Sequence, residues 1–297
     1  MNYNTDFQLV LGLILALMIF GVALELRTIA FRAVLQRPIA VLSGLIGQTI
    51  LLPWITLLIT LFLDLPAGIE LGMLLVASCP GGNLSNIITH MANGNTALSV
   101  SMTAVSSVLA ILTLPLNFAL TSNLNPITHE FLSGGSELHV DSLGIIKGLI
   151  VLLAIPLLAG MLIGNFKTGF AHKITPYFKK FSSIAFVLFL VIAVGSNWQI
   201  FLNNLGFILT IVVFHNLIAL LIGNFIARAF LQKEGNKRAI TIEVGMQNSG
   251  LALGLIFTEF NAEPNMALIA AFWGIWHIIS GLILVAYWRR QPIPAEN

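Results

Sequence analysis

The sequence contains few charged residues: Lys, Arg, Asp and Glu make up 9% of its 297 residues, against about 25% in a typical soluble domain. Hydrophobic residues make up 57% of the chain, and the mean hydropathy is +0.94. The single cysteine, Cys79, excludes an internal disulfide and a cysteine cage around a metal ion. A net charge of +2 carries no signature of nucleic-acid binding. The composition indicates an integral membrane protein surrounded by lipid.

Nine apolar segments are long enough to cross a bilayer, which takes about 20 residues per helix. They predict helices over residues 7–25, 38–63, 68–92, 95–121, 142–165, 178–197, 203–230, 239–259 and 264–288. The longest connection, 122–141, contains Asn, Pro, Gly and Ser and is predicted to be an external loop. We therefore predict an all-α integral membrane protein with nine transmembrane helices.

Basic residues occupy alternate loops, with the exception of Lys147 near the outer end of the fifth helix. They are Arg27, Arg32 and Arg37 in the first loop, Lys167, Lys173, Lys179 and Lys180 in or beside the fifth, Arg228, Lys233, Lys237 and Arg238 in or beside the seventh, and Arg289 and Arg290 after the last helix. The other loops carry acidic residues, among them Glu70, Glu137 and Asp141. The positive-inside rule then predicts a multi-pass protein of the cell membrane, with its N-terminus outside and its C-terminus in the cytoplasm.

Two of the predicted helices contain polar interruptions. One reads CPGGNLSN and starts at Cys79; the other reads EVGMQNSG and starts at Glu243. Freed backbone groups find no water inside a bilayer, so such stretches persist only where protein buries them or a cavity adjoins them. Pro80 removes a backbone donor, and the two glycines after it are expected to permit positive φ angles. These features predict helix breaks near 80–83 and 245–249.

Both breaks fall near the predicted bilayer midplane. The two broken helices are five apart in chain order and therefore run in opposite directions across the membrane. This pattern is typical of inverted-topology repeats with a midplane binding site, as found in secondary transporters.

Glu243 is the only carboxylate predicted to lie inside a span, and no intramembrane Lys or Arg is predicted to pair with it. Such a carboxylate must be protonated, paired or bound to a cation. Ser85, Asn86, Ser99 and Thr103 offer neutral oxygens, and one carboxylate among such oxygens favours Na⁺ over Ca²⁺. Taken singly, each hydroxyl is better explained by helix packing. For Glu243, a cation ligand or coupling carboxylate is favoured, and a protonated helix cap is the alternative.

A helix that restarts near Asn83 would expose N–H groups that attract anions, while the preceding half-helix ends expose carbonyls that attract cations. One crossing can therefore hold a cation and an anionic substrate close together. The alternative is a kinked helix without a ligand. Gln48 and His277 lie in the middle of other spans, where a lone polar residue is more typical of an interhelical hydrogen bond than of a ligand.

CPGGNLSN, followed by ALSVSMT at 97–103, and EVGMQNSGLA at 243–252 resemble the bile acid:sodium symporter family. The resemblance extends to WHIISG at 276–281 and so covers nearly the whole chain. It implies inverted repeats, a core domain with two broken crossing helices, a panel domain that moves against it, and uptake of an organic anion coupled to two Na⁺. The implied boundaries are a four-helix repeat 1–121, a five-helix repeat 142–297, a core of 68–121 and 203–290, and a panel of 7–63 and 142–197.

The resemblance also implies the residues of each site. One sodium site would comprise Ser85, Asn86, Ser99, Thr103 and Glu243. The other would comprise Gln48, Glu243, Gln247 and the backbone carbonyls of Val244 and Met246. The substrate would contact Asn83, Asn248 and His277. Two features depart from the family pattern. Many bacterial members have ten helices, whereas nine are predicted here. Asn83 stands where a smaller residue such as Thr is expected, which bears on the substrate and not on sodium coupling.

The prediction is therefore sodium-coupled symport of a bile-acid-like or small carboxylate anion by alternating access, with no cofactor besides the coupling ions. A proton-coupled carrier or cation/proton exchanger using Glu243 is one alternative, and a membrane receptor that does not transport is another. An intramembrane enzyme is disfavoured because paired acids and a His-rich metal motif are missing, and because Ser85 and His90 are poorly spaced for a helical dyad. The sequence carries no signal for the oligomeric state.

Overall fold

The computed structural model describes residues 5–26, 28, 34, 36, 38–135 and 142–291. Regular structure in these residues is helical, apart from one isolated β-bridge. Arg27, Arg32 and Arg37 of the predicted first basic loop lie outside the described residues, as do Glu137 and Asp141.

Eleven helices carry the architecture of the described residues. They are α1 (Thr5–Ala23), α2 (Pro38–Leu63), α3 (Ala67–Ser78), α4 (Asn83–Met91), α5 (Thr96–Leu124), α6 (Ser142–Phe166), α7 (Thr168–Ser196), α8 (Trp198–Ala229), α9 (Glu234–Gly245), α10 (Ser249–Glu259) and α11 (Pro264–Arg289). Six of those described, α2, α5, α6, α7, α8 and α11, are long and apolar enough to cross a membrane. The protein is thus a multi-pass membrane protein, while the count of nine spans, which also needs α1 and both broken helices, stays a prediction.

The two breaks meet in the interior. The first separates α3 from α4 and the second separates α9 from α10. Gly81 and Gln247 form the antiparallel β-bridge, and the Asn248 N–H donates to the Pro80 carbonyl at 2.9 Å. Each interruption therefore satisfies backbone groups of the other, which compensates for the hydrogen bonds that a continuous helix would have made.

The two broken helices run in opposite directions. At one end of the pair, Gly68 in α3 lies against the carboxylate of Glu263, which follows α10. At the other end, Arg238 in α9 donates to the carbonyl of Ala92, which follows α4, at 2.9 Å. The start of each broken helix thus lies beside the end of the other.

Helix α2 lies within residues 7–63, which are part of the predicted panel. Its main neighbours are α3, α5, α8 and α9, the helices that carry or surround the breaks. Helix α1 packs most extensively against α6, and also against α7 and α10. The helix that carries Gln48 therefore stands with the broken helices.

The predicted external loop at 122–141 is largely helical where the structure describes it. Helix α5 continues to Leu124, and two short turns follow, Pro126–Glu130 and Phe131–Gly135. The side chain of Asn125 caps the first of these turns by accepting a backbone N–H from Thr128 at 3.3 Å. A proline directly after a capping Asn is a signal for the start of a helix. The content of Asn, Pro, Gly and Ser, on which the prediction of a loop depends, does not distinguish this signal from a loop.

Glu70 was predicted to lie in an outer loop, but it occupies the first turn of α3 and is 0% exposed. Its carboxylate accepts the Leu65 N–H at 2.9 Å and the Asn125 side-chain amide at 2.8 Å. Glu243 is therefore not the only carboxylate buried within a helix. Likewise, α7 begins at Thr168 instead of residue 178, so Lys173 belongs to a helix instead of the fifth loop.

Candidate cation site and adjoining cavity

Three hydroxyl groups surround the carboxylate of Glu243, which lies in the last turn of α9 and is 0% exposed. Its Oε2 accepts from Ser85 Oγ at 2.7 Å and from Ser99 Oγ at 3.1 Å. Its Oε1 accepts from Thr103 Oγ1 at 2.7 Å. Helices α4, α5 and α9 thus converge on one carboxylate.

The group has more acceptor oxygens than hydrogens to satisfy them. Asn86 Oδ1 lies 3.2 Å from Thr103 Oγ1, whose single hydrogen cannot serve both this oxygen and Glu243. Ser85 Oγ likewise lies 2.8 Å from the Gly82 carbonyl as well as 2.7 Å from Glu243. A hydroxyl donates only one hydrogen. Such an excess of oxygens, hydroxyl and amide among them, is the donor set that a hard cation prefers.

Glu243 forms no ion pair with any Lys or Arg in the described part of the chain. A buried carboxylate without a counter-charge is strongly unfavourable even when neutral donors surround it. The residues therefore fit a bound monovalent cation or a proton at this carboxylate.

Two amide oxygens without partners mark a second group of acceptors on the other side of Glu243. Gln48 and Gln247 are 1% and 2% exposed, and the Oε1 atom of each has no hydrogen-bond partner among the residues that the structure describes. Their amide nitrogens bind the carbonyls of Glu243, at 3.1 Å, and of Val244, at 2.8 Å. Buried acceptors are rarely left unpaired, and the two side chains adjoin the negative, carbonyl end of α9, where cations are stabilised. Met246 follows directly as the residue after that helix.

Gln48 is positioned by a π-helical turn, Gly47–Leu51, inside α2. The amide of Asn117 in α5 donates to the Thr49 carbonyl at 2.7 Å, which satisfies one of the carbonyls within this turn. Single π turns inside α-helices occur frequently at functional sites, since the extra residue redirects a side chain.

Gly81 lies between the two groups of oxygens. A Cβ atom at this position would collide with Glu243 Oε1 and would lie 3.2 Å from Gln48 Nε2. None of the glycines in the described residues has a positive φ angle, so the expectation that the glycines of the break serve left-handed backbone is wrong. The requirement at Gly81 is close approach of backbone to a carboxylate.

Asn216 is a residue of this region that the sequence reasoning missed. Its amide nitrogen donates to the Gly245 carbonyl, the last of α9, at 2.7 Å, and its side chain is 0% exposed. Three amide side chains therefore cap three successive carbonyls at the end of α9. The pair His215-Asn216 in the middle of an apolar span was the available signal.

A cavity of about 600 Å³ adjoins the crossing at the starts of α4 and α10. Its polar lining residues include Asn83, Asn248, His277, Lys179, Ser182 and Ser183, and the remaining wall is mostly apolar. All three predicted substrate residues are thus beside one cavity. His277 is 5% exposed, and within the described part of the chain its Nδ1 atom has no hydrogen-bond partner, which leaves a polar atom available there. Gln247 also lines the cavity, so it borders both the acceptors and the open space.

Lys179 supplies a positive charge to this cavity. Its Nζ lies 2.6 Å from Glu25 Oε1, and Asn83 donates to Glu25 Oε2 at 3.0 Å. The lysine side chain is 57% exposed, so the pair is solvent-screened and weak in its own right. Neither Lys179 nor Glu25 was predicted to be near the substrate residues.

Two half-helices that meet around a buried carboxylate, with a partly polar cavity beside them, are the architecture of a membrane transporter, not of an enzyme. Comparison with known protein families identifies the family. The chain belongs to the Sodium Bile acid symporter family, whose model matches residues 12–204.

Individual relatives agree with this membership. The chain is 31% identical to an uncharacterized sodium-dependent transporter of Bacillus subtilis, YocS, over 93% of its own length and 82% of the relative. It is 29% identical to the Arabidopsis thaliana protein named "Probable sodium/metabolite cotransporter BASS1, chloroplastic", over 98% of this chain and 69% of that one. It is 32% identical to the human P3 protein over 80% of this chain, a match that spans 48% of P3.

Proposed function

We propose that the protein couples the inward movement of Na⁺ to uptake of an organic anion by alternating access. The observation that carries the proposal is the excess of acceptor oxygens around buried Glu243, which has no basic partner among the described residues. A cation supplies the positive charge that this group lacks, and two groups of acceptors on either side of one carboxylate support two ions.

Each proposed ion has its own ligands. The first is held by Ser85, Asn86, Ser99, Thr103 and Glu243. The second is held by Gln48, Glu243, Gln247 and the carbonyls of Val244 and Met246. In the second group the Gln48 and Gln247 amides would turn so that oxygen instead of nitrogen faces the end of α9. The two oxygens that lack partners support this reorientation, because a cation would satisfy both.

The anion occupies the cavity beside the crossing. The N–H groups at the starts of α4 and α10 stabilise its negative charge, Asn83, Asn248 and His277 orient it, and Lys179 adds a cation at the mouth. The volume of about 600 Å³ suits a small carboxylate or one end of a bile-acid-like molecule. The largely apolar wall favours a substrate that carries hydrocarbon as well as charge.

The moving parts follow the packing. We infer that α1, α6 and α7 form the panel, and that α2 moves with the broken helices as part of the core. The predicted inverted repeats, 1–121 and 142–297, are supported by the opposite directions of the two broken helices. Arg228, Lys237 and Arg238 lie at one end of the bundle and Glu263 at the other, which supports a cell-membrane topology with the C-terminus in the cytoplasm.

A proton-coupled carrier is the second candidate, and the missing basic partner of Glu243 favours it equally, because a proton would also neutralise the carboxylate. The two candidates differ in what drives uptake. A sodium gradient across proteoliposomes at equal pH should drive accumulation of the anion under the first proposal. A pH gradient without Na⁺ should drive it under the second.

The test begins with a thermal-shift screen of organic anions with and without Na⁺, because a ligand of the folded state raises Tm. An anion that stabilises only when Na⁺ is present identifies the substrate class and is then used for transport. Glu243→Gln should abolish both the Na⁺ effect and uptake. Glu70→Gln is the matched control, since Glu70 is also 0% exposed but binds Leu65 and Asn125 far from the crossing. Normal Na⁺-driven uptake by Glu243→Gln would refute the proposal.

A further inference from the structure

A second cavity, of about 480 Å³, lies between α8, α9 and α11, at the end of the bundle that contains Arg238. The residues that line this cavity change from apolar to charged along its length. On α8 the lining residues Leu217, Leu221, Asn224 and Arg228 follow one another at three- and four-residue spacing, and so share one face. That face passes from apolar through polar to charged toward the end of the helix. We call this cavity the basic groove.

The charged end of the basic groove has more cations than its own carboxylate can neutralise. Arg228, Lys237 and Arg238 line it, and among the described residues the only acidic one in its lining is Glu234. Glu234 forms ion pairs with Lys237 and with Arg238. Arg228 forms no ion pair with another residue in the described ranges and is exposed. The groove therefore attracts an anionic group at this end.

Arg238 is the floor of the groove and not its free cation. It is 1% exposed and donates to the carbonyls of Ala92, Trp288 and Gln291 at 2.9, 3.3 and 2.6 Å. Its guanidinium carbon also lies 5.6 Å from the centre of the Trp288 ring. With its donors occupied, it fixes the walls, and Arg228 and Lys237 remain to contact a ligand.

The other end of the groove opens on apolar surface. Leu217 and Leu221 are 46% and 58% exposed, and Tyr287, which lines the wall contributed by α11, is 56% exposed. In a multi-pass membrane protein such leucines face acyl chains. Tyrosines are enriched where hydrocarbon gives way to headgroups. The groove thus has a hydrocarbon half and a headgroup half in the order in which a lipid presents them.

We propose that the basic groove binds one anionic phospholipid, with its phosphate at Arg228 and Lys237 and an acyl chain along Leu217, Leu221 and the neighbouring face of α11. Basic pockets between membrane helices bind anionic headgroups in this way. A free phosphate would leave the apolar half unused, and a zwitterionic lipid would bring its own cation to an already positive end. The site is separate from the crossing, but α9 joins them, since it has Lys237 at one end and Glu243 at the other.

The experiment uses full-length protein stripped of lipid in detergent. Phosphatidylglycerol, phosphatidylcholine or glycerol phosphate is added, binding is counted by native mass spectrometry, and Tm is measured in parallel. Phosphatidylglycerol should bind and raise Tm, and Arg228→Gln should weaken that binding about fivefold. Arg289→Gln is the matched control, because it removes the same charge from an exposed residue at the end of α11 that does not line the groove. Lys237→Gln provides a second groove variant and should weaken binding in the same direction.

Three outcomes would overturn the proposal. Equal stabilisation by phosphatidylcholine removes the role of headgroup charge. Equal stabilisation by glycerol phosphate removes the role of the acyl chain and makes the groove a site for soluble phosphate. An equal loss with Arg289→Gln and Arg228→Gln shows general surface attraction instead of a site. Each variant is first compared with the wild type in phosphatidylcholine alone, so that loss of fold is recognised as such.

Discussion

Replacement of Gly81 by alanine tests the geometry of the crossing directly. The new methyl group would collide with Glu243 Oε1, and it would lie 3.0 Å from Glu243 Cδ and 3.2 Å from Gln48 Nε2. Because the carboxylate is 0% exposed and held by three hydroxyls, it has little room to withdraw. Gly82→Ala is the matched control, because its methyl group would come no closer than 3.9 Å to any neighbouring atom outside the adjoining backbone.

Overpacking of a filled interior costs about 1–3 kcal/mol. At 1.4 kcal/mol for each factor of ten, Gly81→Ala should weaken Na⁺ binding about 5- to 150-fold. Gly82→Ala should leave Na⁺ binding nearly unchanged. Neither glycine has a positive φ angle, so alanine can adopt the backbone conformation at both positions.

The assay is a titration of Tm with NaCl, in which choline chloride keeps the ionic strength constant. The concentration of Na⁺ at half-maximal stabilisation is compared between the two variants and the wild type. If Gly81→Ala titrates like the wild type, the carboxylate does not need the space that the glycine leaves. If both variants lose affinity equally, the flexibility of the break matters and the contact with Glu243 does not.

Three further predictions use the same protein. Ser99→Ala should raise the Na⁺ concentration at half-maximal stabilisation about tenfold, because it removes one donor to a charged group. Ser101→Ala is the control and should leave this concentration unchanged, since the Ser101 hydroxyl donates to the Ala97 carbonyl. Equal titrations of the two variants would contradict the role of Ser99. Asn216→Leu should lower Tm by several degrees in thermal unfolding, because it leaves the last carbonyl of α9 uncapped, and an unchanged Tm would show that the cap contributes nothing. Lys179→Gln should raise KM for the anion in uptake while the Na⁺ titration stays unchanged; a shift in the Na⁺ midpoint would contradict a role confined to the anion.

The breaks could be predicted because their signals are local. Pro80 and its glycines stop one helix, and the polar run after Glu243 stops the other, without reference to the rest of the chain. Opposite directions followed from chain order and loop charge. The convergence of Ser85, Ser99 and Thr103 on Glu243 required the resemblance to a family, because hydroxyls in membrane helices are ordinarily packing residues.

The remaining features depend on tertiary contacts. The π turn at Gln48 is satisfied by Asn117, a residue 68 positions away from the bonded carbonyl. Asn125 is both a helix cap and a partner of buried Glu70, so it reads locally as loop composition. The sequence pattern of α2 is the same whether it packs with the panel or with the core, and only its neighbours distinguish the two. The predicted helix 178–197 starts ten residues later than α7, which begins at Thr168, because the polar and charged residues before position 178 hide the start of α7.

The extended backbone between α3 and α4 has a thermodynamic consequence. Successive residues of an extended chain face opposite sides: Gly81 contacts Glu243, whereas Pro80 and Gly82 line the cavity. The proposed cation and anion would therefore lie on opposite sides of this short backbone segment, about one peptide unit apart. If binding of either ion shifted the segment, the affinity of the protein for the other ion would change. Linkage makes the effect reciprocal. The factor by which the anion tightens Na⁺ binding must equal the factor by which Na⁺ tightens anion binding, so two independent titrations close a cycle and measure the coupling free energy twice.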